Sequence, residues 1–66
     1  MLVVINGDPV EIVEASTISA LLEQLQIDSE RIAVEVNLDI VPKSAHGVHV
    51  LLPGDRIEIV HFVGGG

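Results

Sequence analysis

From Leu2 to Ile5 the chain is apolar and mostly β-branched, and the run stops at Asn6-Gly7. Asn-Gly suits the two left-handed positions of a two-residue turn, so this pattern predicts a β-hairpin. Residues 10–13 form the return strand, with Pro9 at its entry, where a missing N–H is tolerated. After Ala15 the period changes. Ile18, Leu21, Leu22 and Leu25 fall at i, i+3, i+4 and i+7, which predicts a helix over 18–26 with one aliphatic face. Ser16 or Thr17 is placed to cap its first turn. Neither is followed by Glu or Gln three residues on, so no full capping box forms.

Asp28-Ser29-Glu30 reads as a polar loop, residues 32–36 as a strand, and Asn37-Leu38-Asp39 as a tight turn. Ile40-Val41 is a short strand stopped by Pro42, and 43–50 has no period. Pro53-Gly54-Asp55 marks a turn before a final strand over 56–63. Two strands, a helix, two strands and a last strand predict an α+β fold. Its form is a mixed sheet of four to five strands with one helix packed on one face. The crossover after the hairpin favours a parallel return, and the apolar last strand is the natural central neighbour of the first. The expected organisation is one domain over 1–63 followed by a flexible glycine tail, 64–66.

Composition narrows what such a domain does. The sequence has 66 residues, 10 acidic and 3 basic side chains, a formal net charge of −7, and no cysteine. A chain of this size buries only about 60% of the surface its unfolded form exposes. Without cysteine it has no disulfide, thiolate metal site or thiol nucleophile to reinforce or equip it. At 48% hydrophobic residues it is nevertheless too apolar to stay disordered. Arg31, Lys43 and Arg56 make no footprint for a phosphate backbone, so neither nucleic acid nor an anionic membrane is an expected partner. A basic groove on another protein is. The apolar start lacks a basic flank and a cleavage site, and uncharged apolar runs reach about five residues against the roughly 20 of a membrane span. A cytoplasmic location is expected.

Candidate chemistry concentrates at the end. Gly64-Gly65-Gly66 follows a strand directly, a thread without Cβ atoms that spans up to about 10 Å and carries an α-carboxylate. It can enter a channel too narrow for any side chain, although such ends are also commonly frayed. Alternation on the last strand puts Ile57, Ile59, His61 and Val63 on one face and Arg56, Glu58, Val60 and Phe62 on the other. The lone aromatic, Phe62, either plugs the bottom of the core or, with Val60, forms an exposed patch for a partner. His46 and His49 read as ordinary loop histidines without a third ligand, so no metal site is expected. The glutamates Glu11, Glu14, Glu23, Glu30, Glu35 and Glu58 are spread out and read as surface-solvating. No serine elbow, dinucleotide fingerprint or phosphate loop is present.

Taken in order, these residues resemble the thiamine-biosynthesis sulfur carrier proteins, the ThiS family of ubiquitin-like β-grasp proteins. The likeness rests on Asn6-Gly7, on Thr17-Ile18 with Leu21-Leu22, and on Val36-Asn37 followed by Ile40-Val41-Pro42-Lys43. Gly54-Asp55 before an apolar strand and the terminal Gly65-Gly66 complete it. The resemblance implies that an E1-like adenylyltransferase of the ThiF type uses ATP to adenylate the Gly66 carboxylate. Sulfur from a cysteine desulfurase pathway then gives a thiocarboxylate, which a ThiG-type thiazole synthase consumes. The chain itself is then a co-substrate with no cofactor of its own. Gly65 and Gly66 carry over as the functional end, Val60 and Phe62 as partner-facing positions. Gly64 departs from the family pattern, where a small residue is usual. The small subunit of molybdopterin synthase, with the same fold and end, and a ubiquitin-like module that only binds are the competing readings.

Overall fold

The computed structural model describes residues 1–62. Asn6 and Gly7 take φ of 49° and 87°, the pair of left-handed conformations that closes a two-residue hairpin. Strand β1 (Leu2–Ile5) therefore pairs with β2 (Asp8–Glu11) in a register that sets Ile5 opposite Asp8. The return strand begins two residues earlier than the apolar period suggests, and Val13 falls outside it. Pro9 lies within the strand rather than at its entry. It is tolerated because β2 is an edge strand and because Val4, opposite Pro9, sends its own N–H the other way, to the Asp55 carbonyl at 2.9 Å.

The helix α1 (Ile18–Gln24) starts at Thr17, whose Oγ1 accepts from the Ala20 N–H at 3.1 Å. Ser16, the other capping candidate, is buried and donates to the Val13 carbonyl at 2.6 Å. Ile18, Leu21 and Leu22 are buried and Leu25 is half-buried, as the helical spacing requires. The helix stops two residues short of Gln26, which sits at φ 58°. There the Gln26 N–H reaches the Glu23 carbonyl at 3.0 Å and the Ile27 N–H the Leu22 carbonyl at 2.9 Å. That bond pair is a Schellman ending, with glutamine where glycine is usual.

Beyond the helix lie a 3₁₀ turn at Ser29–Arg31, β3 (Ile32–Val36), β4 (Asp39–Val41) and β5 (Arg56–His61). The five-stranded sheet runs β2-β1-β5-β3-β4, with β5 parallel to β1 and antiparallel to β3. The last strand is thus central and next to the first, and α1 lies on one face: the expected β-grasp arrangement. The stretch without period, 43–50, contains a second 3₁₀ turn, Lys43–Ala45, and directly after it comes Leu51, 1% exposed and one of the largest fully buried side chains. A single bridge between Thr17 and Val50 and the bond from the Leu51 N–H to the Ser16 carbonyl, 2.8 Å, tie this stretch to the start of α1. β5 ends at His61, so the strand covers 56–61 of the expected 56–63. Val63, the tail 64–66 and the boundary between domain and tail lie outside the described residues. Among the described residues no helix is long and apolar enough to cross a membrane.

Candidate functional site

β5 carries the residues singled out from the sequence, and its alternation holds. Ile57 and Ile59 are in the core, while Val60 is 50% and Phe62 61% exposed. The aromatic does not plug the core. It stands with Val60 on the sheet side that α1 leaves uncovered, where Val60 lies opposite Ala33 of β3. His61 has the parity of the core residues but is exposed, although Ile32, directly opposite it on β3, is buried. Gly64, Gly65 and Gly66 lie outside the described residues.

Two hydrogen-bonding devices hold this end of β5. β1 gives out at Ile5, and the Asn6 N–H makes the last backbone rung, to the Ile57 carbonyl at 2.9 Å. The Asn6 side chain then replaces the missing strand. Its Oδ1 accepts from the Ile59 N–H at 2.7 Å and its Nδ2 donates to the Ile59 carbonyl at 3.2 Å. An amide matches both backbone groups because it carries one acceptor and two donors on a planar head. On the other side, the Phe62 N–H donates to the Arg31 carbonyl at 2.9 Å. Together they fix the backbone on which Val60 and Phe62 are displayed. Asn6 is legible in the sequence as a turn residue; its bond across 53 positions is not.

The glutamates are not all dispersed. The β3·β5 register sets Glu35 directly opposite Glu58, and the β3·β4 register sets Ile40 opposite Glu35. Like charges facing each other directly across a sheet are destabilising. Among the described residues the cations within 4.0 Å of a carboxylate go elsewhere, Lys43 to Glu30 at 3.0 Å and the Met1 amine to Glu11 at 3.1 Å. No feature of the sequence alone reveals the pairing of Glu35 with Glu58.

His46 is not an ordinary loop histidine. It is 4% exposed, with Nε2 3.1 Å from the Val41 carbonyl, to which it donates. His49 is half-buried, and among the described residues no three His, Cys, Asp or Glu side chains converge as a metal site would require. An open depression of about 430 Å³ lies between α1 and the preceding loop, lined by Val13, Ser16, Ala20, Glu23 and Gln24. Its hydroxyl, Ser16, is already committed to the Val13 carbonyl.

Comparison with known proteins accords with this geometry. The sequence model described as the ThiS family matches residues 3–66. A thiazole synthase of Paramagnetospirillum magneticum is 47% identical over all 66 residues, which amount to 20% of that protein. The sulfur carrier protein ThiS of Bacillus subtilis is 42% identical over 53 residues, 80% of each chain. The chain spans about a fifth of the thiazole synthases it matches and most of the bacterial carrier. Among solved structures, the thiamine biosynthesis protein ThiS of Geobacter metallireducens superposes with a TM-score of 0.88 at 29% identity, all of each chain being covered. With the family model spanning nearly its whole length, the chain belongs to the ThiS family.

Proposed function

We propose that this chain is a sulfur carrier for thiazole formation in thiamine biosynthesis, a protein co-substrate rather than an enzyme. What supports the reading most is a single juxtaposition in a ThiS-family chain. Gly64-Gly65-Gly66 begins two positions after Phe62, which with Val60 of β5 stands exposed on an uncovered sheet face. A partner that grips Val60 and Phe62 receives the glycine thread in its active site, and no side chain obstructs entry.

The chemistry follows from the poverty of a carboxylate as an electrophile. A ThiF-type adenylyltransferase joins the Gly66 carboxylate to the α-phosphate of ATP and releases pyrophosphate, so that AMP becomes a good leaving group. The terminal sulfur of a persulfide, made by a cysteine desulfurase pathway, attacks the acyl carbon and AMP departs. Cleavage of the S–S bond by a second thiol leaves the sulfur on the carrier as a thiocarboxylate. A ThiG-type thiazole synthase then takes that sulfur into the thiazole ring. The reading requires a free α-carboxylate at Gly66. With no cysteine in the chain, the sulfur has no other place to reside.

Intact-mass measurement of the 66-residue chain after incubation with ATP, a ThiF-type adenylyltransferase and a persulfide donor tests this. The expected result is one oxygen-for-sulfur exchange, localised to Gly66 by fragmentation. An unchanged mass with an adenylyltransferase active on its own carrier would overturn the proposal.

A further inference from the structure

The sheet face opposite α1 is not a uniform apolar patch. Across its middle runs a row formed by Glu58 of β5, Glu35 of β3 and Ile40 of β4, and beside it a row formed by Val60 and Ala33. Ile40 is 73% exposed, so with Val60 and Phe62 it frames the two carboxylates with accessible apolar surface. Directly opposed residues of antiparallel strands have Cβ atoms about 4.5–5.5 Å apart. Two glutamates at that spacing present four carboxylate oxygens to one small volume of solvent. Among the described residues neither has a cation within 4.0 Å.

We propose that this face docks the adenylating enzyme through one of its arginines, inserted between Glu35 and Glu58, with apolar contacts to Ile40, Val60 and Phe62 around it. The inference rests on the sulfur-carrier reading above. A guanidinium fits because its planar fork offers five N–H donors and so serves two carboxylates at once, whereas an ammonium is a point charge. The occupant follows from charge. An enzyme that brings a carboxylate up to the phosphates of ATP must surround them with cations, and a carrier with a formal charge of −7 and two facing glutamates on its uncovered sheet face complements such a surface. A second copy of this chain does not, since each carries a formal charge of −7 and only three basic side chains.

The test compares two doubly neutralised variants with the wild-type chain in ATP–pyrophosphate exchange driven by a purified ThiF-type adenylyltransferase. Glu35→Gln with Glu58→Gln alters the docking face. Glu14→Gln with Glu23→Gln, both exposed and off that face, removes the same amount of charge, from −7 to −5. The expected outcome is a rise of about tenfold in the KM for the carrier in the first variant with kcat held, and a change under about twofold in the second. Equal effects in both variants would show general charge steering and overturn the proposal. So would no effect in either, or a dimer of the wild-type chain that the first variant disperses, or a defect confined to the sulfur-accepting enzyme. If the wild-type chain supports no exchange at all, the sulfur-carrier reading fails and this docking site with it. Exchange by the wild type with unchanged KM in the first variant removes the docking site alone.

Discussion

Leu38 sits at φ 75°, beside Asn37 at φ 51°, in the turn between β3 and β4. The turn demands left-handed backbone at both positions, and an L-residue other than glycine pays roughly 1–2 kcal/mol to adopt it. The Leu38 side chain recovers little of this, being 88% exposed. Leu38→Gly should therefore stabilise the protein by about 0.5–1 kcal/mol after the added freedom of the unfolded chain is subtracted. Thermal unfolding would show it as a rise of a few degrees. Asn6 is the opposite case. Asn6→Gly keeps a backbone suited to φ 49° but deletes both bonds to Ile59, and a loss of about 1–3 kcal/mol is expected. Hydrogen exchange at the Ile59 amide should accelerate more than at Ile57, whose pairing is left intact. Equal acceleration at the two would mean that Asn6 acts through the turn and not through its amide.

At the scale of elements, α1 has seven residues and is too short to persist by itself. Its stability comes from Ile18, Leu21 and Leu22 against the sheet, and from a connection that looks featureless in sequence. Leu51 lies in that connection, fully buried, and its backbone bonds to Ser16 at the helix entry. Leu51→Ala should cost about 2–5 kcal/mol, as much as a core residue on the helix, measurable by urea unfolding. A cost below about 1 kcal/mol would show that the connection is an accessory and not part of the core. The turn leading into β5 is fixed in a similar way. Asp55 is buried, accepting from the Leu52 N–H at 2.8 Å and from Asn37 Nδ2 at 3.0 Å, so it joins the start of β5 to the β3–β4 turn.

For the whole molecule, the proposed function divides the work between the sheet, which docks the partner, and the terminal glycines, which carry the chemistry. Deleting Gly65 and Gly66 should leave the unfolding midpoint within experimental error, since glycine has no side chain to bury in a core, while abolishing thiocarboxylate formation. Circular dichroism and intact mass on the same sample check both halves. Much of this organisation was legible in the sequence. The period-2 and period-3.6 stretches named the elements, Asn6-Gly7 named the first turn, and the apolar last strand was placed beside the first. These features are local, or depend only on which segments can bury a face. The ends of the elements moved where backbone geometry overruled side-chain period: Gln26 turned left-handed and stopped α1, and the two-residue turn drew Asp8 and Pro9 into β2. Alternation divided β5 into two faces without saying which one α1 covers, so the exposure of Phe62 had to come from the packed structure. Likewise, Glu35 and Glu58 meet only because the register of β3 on β5 is what it is, and Asn6 reaches Ile59 only because β1 ends there. By itself the sequence determined the elements, the family signature and the glycine end. Tertiary structure alone decided which residues stand together on the uncovered face, because register between strands distant in the chain is set by burial of the whole sheet and not by any local run.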